Sequence, residues 1–210
     1  MVKCLIFDCD GTLVDSEYLC NLGLVIKLKE YDIEENPVKL ISCFRGWKLA
    51  NIIQKLELKH SIKFDDDFVN TYRAIVSNLF ETQLKPIDGI EEALADINLP
   101  KCVASSAPRK KIERALDVTN LRKYFGNNIF SSYEINSWKP EPDLFCYAAK
   151  NMGYDSEECT VIEDSYLGLE AAEAANMRAI FYNPNSEPVP YKNAVSLISM
   201  NQLTEIVNQS

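Results

Sequence analysis

Short apolar runs, many of them rich in β-branched residues, alternate along most of the chain with patterns typical of amphipathic helices. Six runs predict strands, at residues 3–7, 101–105, 128–131, 159–163, 178–182 and 196–199. Consecutive runs are far enough apart for a crossover connection, and this alternation is typical of a parallel sheet covered by helices. Because such crossovers are right-handed, we predict an α/β fold built on a Rossmann-like, doubly wound parallel sheet.

The segment between the first two predicted strands breaks this alternation. It contains no strand candidate, and its apolar residues recur with helical spacing throughout. Asn36 followed by Pro37 is typical of a helix start, since asparagine caps the helix and proline fits its first turn. We therefore predict a small α-helical cap domain of residues 16–85, inserted into a core domain of residues 1–15 and 86–210.

The charge of the chain restricts its partners. The 210 residues include 31 acidic and 22 basic side chains, a formal charge of −9. A surface of this sign repels the phosphates of nucleic acids and anionic membranes, and no basic stripe overrides it. We therefore expect neither a nucleic acid polymer nor a membrane as partner. We expect a monomer, although the sequence does not fix the oligomeric state.

The cysteines and the first residues predict the compartment. The seven cysteines are odd in number and widely spaced without a Cys-x-x-Cys pair, which favours free thiols over disulfides or a zinc site. The first acidic residue, Asp8, comes too early for a secretory signal peptide, and no apolar stretch approaches about 18 residues. These features predict a cytoplasmic protein.

Polar side chains follow four of the predicted strands, at the sheet edge where open parallel sheets bind ligands. These side chains are two pairs of acids, three hydroxyls and a lysine. They lie in the segments Asp8-Cys9-Asp10-Gly11-Thr12, Ser105-Ser106, Lys139-Pro140 and Glu163-Asp164. Carboxylate oxygens suit Mg²⁺, whereas lysine and serine suit an anion beside it. Two unit charges 4 Å apart interact by about 4 kcal/mol at an effective dielectric of 20, so a carboxylate facing a phosphate dianion needs nearby cations. The segments therefore predict a phosphate site with a magnesium ion.

The order and spacing of these four segments resemble the four motifs of the haloacid dehalogenase superfamily of phosphotransferases, over essentially the whole chain. The helical insert resembles the cap of the β-phosphoglucomutase-like subgroup. Residues 9–17, 44–48 and 138–142 are most similar to the corresponding runs of bacterial 6-phosphogluconate phosphatases. The resemblance implies a phosphoric monoester hydrolase with Mg²⁺ as cofactor. Its substrate would be a small phosphorylated metabolite, a sugar phosphate or a sugar-acid phosphate such as 6-phosphogluconate.

The resemblance also implies a role for each motif residue. Asp8 would be the nucleophile that accepts the phosphoryl group as an aspartyl phosphate, and Asp10 would protonate the leaving oxygen and then activate water. The phosphoryl oxygens would be bound by Thr12, Ser105, Ser106 and Lys139. Mg²⁺ would be held by Asp8, the main-chain carbonyl of Asp10, and Asp164, with Glu163 close by.

Substrate specificity is expected from the cap. The specificity loop of the subgroup matches residues 45–48, where Gly46 allows a close approach to the substrate. Arg45 and Lys48 would bind a carboxylate or a second phosphate, and Arg109 is a further candidate. The alternative is a solvated, basic helix break with Trp47 in the core of the cap. The core motifs have structural alternatives as well. In these, Asp8 and Asp10 only cap the following turn, Ser105 only ends a strand, and Lys139 is an ordinary solvated lysine.

Other functions remain open from the residues alone. A sugar phosphomutase shares every core motif, but known β-phosphoglucomutases carry a histidine where this chain has Cys20, which favours hydrolysis. A haloacid dehalogenase needs no second carboxylate at the position of Asp10. A response-regulator receiver also uses an aspartate, Mg²⁺ and a lysine, but it has no helical lid and stops after one phosphoryl transfer. A family member that has lost catalysis is a further alternative.

Overall fold

The structure, a computed structural model, describes residues 2–209. Its six strands are β1 (Cys4–Phe7), β2 (Lys101–Ser105), β3 (Ile129–Ser131), β4 (Cys159–Glu163), β5 (Arg178–Tyr182) and β6 (Ala194–Leu197). They form a six-stranded sheet in the order β3-β2-β1-β4-β5-β6, and every pairing is parallel. The predicted doubly wound parallel sheet is therefore confirmed.

Five of the strands lie within one residue of their predicted bounds, whereas the sixth is shifted. Its predicted range of 196–199 becomes Ala194–Leu197, paired in register with β5 from Ala179 to Tyr182. This strand lies at the edge of the sheet, and Val195 is 43% exposed. Since an edge strand buries only part of its surface, the apolar pattern does not determine its register.

The described part of the chain contains ten α-helices. They are α1 (Glu17–Leu28), α2 (Pro37–Phe44), α3 (Leu49–His60), α4 (Phe68–Gln83), α5 (Ile90–Asp96), α6 (Arg109–Val118), α7 (Ser132–Ile135), α8 (Asp143–Met152), α9 (Tyr166–Ala174) and α10 (Leu203–Asn208). The first four follow β1 directly, and no strand interrupts them among residues 2–209. The helical character predicted for this insert is present, while its division from the core as a domain stays a prediction.

Two helices of the insert show how the sequence determines its packing. The Asn36 side chain accepts a hydrogen bond from Lys39 N at 3.1 Å and Pro37 opens α2, the arrangement predicted from the sequence. Helix α4 buries a stripe of residues at every fourth position, Phe68, Tyr72, Val76 and Phe80. This stripe packs against α1, and Tyr72, Val76 and Phe80 line a cavity that also reaches Asp8 after β1.

Both faces of the sheet are covered by apolar side chains. In β1, Leu5 and Phe7 belong to a cluster that continues into the inserted helices, whereas Cys4 and Ile6 belong to a cluster with α8 and α9. Because both faces are buried, polar groups are accessible chiefly where the strands end. Because β2, β1 and β4 are parallel neighbours, their carboxyl ends lie at one edge of the sheet.

Among the helices of residues 2–209, none has the length and apolar character that a membrane span requires.

Candidate active site

Lys139 joins two carboxylates at the carboxyl edge of the sheet. Its ammonium donates to Asp8 Oδ1 and to Glu163 Oε1, each at 2.5 Å. All three residues are buried, with 8, 6 and 1% exposure for Lys139, Asp8 and Glu163. Burial raises the pKa of Asp8 to about 7 despite the attraction of Lys139. Burial also disfavours the charge of Lys139, but the two carboxylates outweigh it and raise the lysine's pKa above its ordinary value.

Glu163 is fully engaged by its surroundings. Besides Lys139, it accepts hydrogen bonds on Oε2 from Ser165 N at 2.7 Å and from Ser165 Oγ at 2.9 Å. A Cβ on Gly168 would lie 2.0 Å from Oε1, so the glycine allows this close approach. Glu163 therefore holds Lys139 against the start of α9, and its place beside a metal ion stays a prediction.

Asp10 is held by two donors. Ser16 Oγ donates to its Oδ1 at 2.5 Å, and Lys111 Nζ lies 2.9 Å from Oδ1 and 2.7 Å from Oδ2. Burial acts to raise the pKa of Asp10, but the charge and hydrogen bonds of Lys111, with that of Ser16, bring it below its ordinary value. The second predicted carboxylate therefore has a fixed orientation and a charged partner of its own.

Asp164 lies against the turn that follows β1. Thr12 is completely buried, and its hydroxyl donates to Asp164 Oδ1 at 3.2 Å. Gly11 has φ of +83°, and a Cβ at this position would lie 2.3 Å from Asp164 Oδ2. Burial raises the pKa of Asp164 well above its ordinary value, and the Glu163 and Asp8 carboxylates raise it further. Among the described residues, no lysine or arginine forms a salt bridge with it.

The charges of the site fit a divalent cation. Four carboxylates and two ammonium groups meet here: Asp8, Asp10, Glu163 and Asp164, with Lys111 and Lys139. No group of three or more His, Cys, Asp or Glu side chains within residues 2–209 is arranged as a metal cluster. Mg²⁺ does not need one, because it commonly takes one or two carboxylates with waters and substrate phosphate. The residues present therefore fit Mg²⁺, with Asp8, Asp164 and the main-chain carbonyl of Asp10 as its expected ligands.

The predicted serine pair lies at the end of β2, the strand next to β1, and lines the same cavity as Asp8. Ser105 ends β2, and its Oγ accepts a hydrogen bond from Ala107 N at 3.2 Å, which leaves its hydroxyl proton available. The Ser106 hydroxyl is buried and has no hydrogen-bond partner among the described residues. Since a buried hydroxyl without a partner is costly, both serines suit the oxygens of a phosphate.

One cavity of about 570 Å³ joins these groups to the inserted helices. Its walls contain the predicted site residues other than Thr12: Asp8, Asp10, Arg45, Gly46, Lys48, Ser105, Ser106, Arg109, Lys139, Glu163 and Asp164. Opposite the carboxylates, α2, α3 and α4 contribute the apolar side chains of Phe44, Ile52, Val76 and Phe80. The cavity has the size of a small-molecule site.

The predicted specificity loop directly contacts residues that follow the sheet strands β4 and β5. The Arg45 guanidinium lies 3.2 Å from Glu17 and 3.4 Å from Glu187. Gly46 has φ of +77°, and a Cβ on it would lie 3.1 Å from the Ser165 side chain. Arg45 is therefore partly neutralised by protein carboxylates, while Gly46 closes the loop onto the start of α9.

Two other cavity cations rest on aromatic rings. Lys48 Nζ lies 3.2 Å from the centroid of the Trp138 ring. Arg73 Cζ lies 5.8 Å from the Tyr133 ring centroid, and its Nη2 donates to the Tyr133 hydroxyl at 3.3 Å. Neither cation forms a salt bridge within the described residues. Because an aromatic ring attracts a cation without neutralising it, both keep their charge for a ligand.

Comparison with known proteins places this geometry in a family. The model of the haloacid dehalogenase-like hydrolases matches residues 5–182. The chain belongs to this family. A relative, the 6-phosphogluconate phosphatase of Escherichia coli K12, is 33% identical over 208 residues, which cover 98% of this chain and 94% of that enzyme. The family and the phosphatase class predicted from the sequence are confirmed, and both disfavour a phospho-acceptor signalling module.

Solved structures agree on the fold of this haloacid dehalogenase-like hydrolase. A haloacid dehalogenase-like protein from Agrobacterium tumefaciens matches with a TM-score of 0.83 and 26% identity, over 100% of this chain and 99% of that one. The β-phosphoglucomutase of Clostridium difficile matches with a TM-score of 0.82 and 22% identity, over 100% and 96% of the two chains. At this identity the second match supports the fold alone.

Sequence reasoning missed Lys111 and Ser16 in this hydrolase. Lys111 belongs to a basic run, Arg109-Lys110-Lys111, that forms the first turn of α6 without an acidic residue. Cations at a helix N-terminus are unfavourable because of the helix dipole, so this basic run could have indicated that one of its residues has a functional partner elsewhere. Arg109, a further candidate for binding the substrate, lines the cavity and donates to Glu134 and to the Ile129 carbonyl.

Proposed function

We propose that this protein is a magnesium-dependent phosphatase that transfers the phosphoryl group of a sugar phosphate or sugar-acid phosphate to Asp8 and then to water. The observation that carries the proposal is the position of Asp8. Its carboxylate lies at the end of β1, on the cavity wall, 2.5 Å from the Lys139 ammonium. A carboxylate can attack a phosphate only where cations offset their repulsion, and Lys139 is such a cation.

The side chains present supply each part of the reaction. An Asp8 oxygen attacks phosphorus while the bond between phosphorus and the leaving oxygen breaks. Asp10, protonated when the phosphate dianion beside it offsets the charge of Lys111, donates a proton to that oxygen. Asp10 then accepts a proton from water, whose oxygen attacks the aspartyl phosphate and releases inorganic phosphate. Lys139, Ser105 and Ser106 bind the phosphoryl oxygens throughout. When bound, Mg²⁺ would supply positive charge to the phosphoryl oxygens and to the Asp8 carboxylate.

The cavity wall supports water as the second acceptor. Cys20, on α1, occupies the position where known β-phosphoglucomutases carry histidine, and it lines the cavity. Burial raises the pKa of the Cys20 thiol to about 11, so the thiol keeps its proton at neutral pH. A thiol is a weak hydrogen-bond donor and acceptor, so Cys20 does not replace histidine as a polar contact for a second sugar. Hydrolysis is therefore favoured over mutase activity.

The uncompensated cavity cations support a substrate with a second anionic group. Lys48 and Arg73 face the cavity from the inserted helices and lie on aromatic rings rather than beside carboxylates. A sugar acid carries its carboxylate away from the phosphate, where such cations can bind it. The 33% identity with a 6-phosphogluconate phosphatase supports the same class, and we propose 6-phosphogluconate as the first substrate to test.

The experiment is a panel of sugar phosphates, sugar-acid phosphates and nucleotides, assayed for phosphate release with and without Mg²⁺. We expect release from sugar or sugar-acid phosphates with wild type, and a loss of at least about 10³-fold with Asp8→Asn, since the nucleophile is removed. Asp15→Asn, which changes a nearby exposed carboxylate, is the matched control. Equal activity of wild type and Asp8→Asn would refute the nucleophile. Rapid hydrolysis of nucleotides alone would refute the substrate class only.

A further inference from the structure

Lys111 reaches out of its helix to a carboxylate 101 residues away in the sequence. It is the third residue of α6, and its ammonium contacts both oxygens of Asp10, at 2.9 and 2.7 Å. Ser16 Oγ contacts Oδ1 alone. Three contacts to two oxygens fix the plane of the carboxylate, whereas a single donor leaves it free to rotate.

The surroundings of Lys111 hold the ammonium in place. The Phe80 ring of α4 lies 5.6 Å from Nζ, and the Cys20 thiol and the Tyr72 hydroxyl lie around the same group. The Lys111 side chain is 28% exposed, so it is held between α6 and the inserted helices and still borders the cavity. Lys111 thus connects the helices that enclose the substrate with the proposed acid and base.

The sequence around Lys111 places cations where a helix disfavours them. The first turn of α6 holds Arg109, Lys110 and Lys111 and no acidic residue, against the preference of a helix N-terminus. Arg109 is compensated by Glu134 and Glu113, but the partner of Lys111 is Asp10. A locally unfavourable residue whose partner lies in the active site is typical of a functional constraint.

We infer that Lys111 is a positioning residue, which together with Ser16 orients the Asp10 carboxylate toward the leaving oxygen of the substrate. The inference rests on the proposed function of Asp10 as proton donor. Lys111 itself makes no bond to the reacting atoms. The Lys111 charge also favours the ionised form of Asp10, so the phosphate dianion of the bound substrate has to offset it before Asp10 donates a proton. Removal of Lys111 should therefore impair the orientation of Asp10 more than its protonation, while binding of the phosphoryl group by Lys139 and the serines should persist.

Two aryl phosphates of similar size separate these steps. The nitrophenolate of p-nitrophenyl phosphate leaves without a proton, whereas phenolate from phenyl phosphate is a poorer leaving group and benefits from one. The quantity to compare is kcat/KM, which reports only the steps up to the aspartyl phosphate. We expect Lys111→Met to lower kcat/KM for phenyl phosphate roughly 30- to 100-fold and that for p-nitrophenyl phosphate less than about threefold, since proton donation contributes about 10²-fold or more.

Three further variants test whether Lys111 acts through Asp10. Lys111→Arg keeps two donors for the carboxylate and should restore most of the activity with phenyl phosphate. In an Asp10→Asn background, Lys111→Met should change kcat/KM by less than about twofold, because coupled residues are not additive. Lys150→Met, on the exposed end of α8, is the control for loss of one positive charge.

The outcomes distinguish the inference from the proposed function. An equal loss with both aryl phosphates, together with weaker inhibition by inorganic phosphate, would make Lys111 a phosphate-binding residue and overturn the positioning role. A loss that persists unchanged in the Asp10→Asn background would overturn it as well. A higher kcat/KM for phenyl phosphate in Lys111→Met would show that the charge of Lys111 outweighs its positioning effect and would overturn the inference. If wild type hydrolyses neither ester nor any member of the sugar panel, the proposed function itself fails. Thermal unfolding of each variant shows whether a loss reflects misfolding.

Discussion

Individual residues at this site combine roles that their motif positions do not reveal. Lys139 lies between Asp8 and Glu163, so one buried ammonium serves two carboxylates. Removing such a lysine leaves uncompensated buried charge, which costs about 3–5 kcal/mol in comparable pairs. Asp164 lacks an equivalent partner among the described residues and instead meets the turn at Gly11. Asp164 is therefore the carboxylate of the site whose negative charge the protein compensates least.

Gly11 offers a residue-level prediction, because both its conformation and its contact require glycine. We expect Gly11→Ala to raise the Mg²⁺ concentration for half-maximal activity by at least about tenfold, since its Cβ would displace the Asp164 carboxylate. Gly153→Ala is a matched control: Gly153 has φ of +82°, but no atom lies within 4 Å of its Cβ position. Both variants share the backbone penalty. Equal Mg²⁺ requirements for the two would contradict the role of the contact with Asp164.

At the level of elements, the inserted helices meet the segment between β3 and α8 through charged and aromatic groups. Tyr133 and Trp138 lie edge to face, with ring centroids 5.3 Å apart, between β3 and α8. Each ring accepts one cation from the insert, Arg73 of α4 or Lys48 at the start of α3. These contacts hold two elements of the insert against the segment that carries Lys139, so the cations proposed to bind the substrate are joined to the proposed phosphate site.

These two cations give a prediction about substrate preference. In Lys48→Met/Arg73→Met, we expect the ratio of kcat/KM for 6-phosphogluconate to that for glucose 6-phosphate to fall roughly tenfold, the loss of about 1.4 kcal/mol of binding to the carboxylate. The measurement is phosphate release at several concentrations of each ester. Lys55→Met, exposed on α3, should leave the ratio unchanged. An equal fall for both substrates would show that the cations maintain the insert rather than recognise a carboxylate.

For the whole molecule, the site is assembled from segments distant in the sequence around a cluster with more carboxylates than cations. The apolar cluster that contains Phe7 continues from the sheet into the inserted helices, so the site lies over a continuous core. Such a core can hold buried carboxylates close together at a cost in stability. The monomeric state and the cytoplasmic location stay predictions.

Magnesium should therefore stabilise the whole fold as well as support activity. We expect EDTA to abolish phosphate release and Mg²⁺ to restore it. At 100 times its Kd, Mg²⁺ should add about 2.7 kcal/mol to the free energy of unfolding. Asp164→Asn should unfold at or above the wild-type temperature in EDTA, because a crowded buried carboxylate is removed, and should gain little from Mg²⁺. A full Mg²⁺-induced shift in Asp164→Asn would contradict its role as a ligand.

The sequence by itself determined the α/β class, the helical insert and the edge at which the reactive residues meet. Parallel strands end at a common edge, so recognising the strands is enough to predict that the residues after β1, β2 and β4 lie close together. Asp8, Ser105 and Asp164 are predictable in this way because backbone pairing alone places them together.

Only the tertiary structure decided how the side chains are paired. The contact of Lys111 with Asp10, the hydrogen bond from Thr12 to Asp164 and the engagement of Glu163 by Ser165 depend on how loops and helices pack. The shifted register of β6 has a similar cause, since an edge strand has too few buried side chains to constrain it. Strand order follows from a short-range periodic pattern, whereas the partner of a long polar side chain is determined by packing between distant segments.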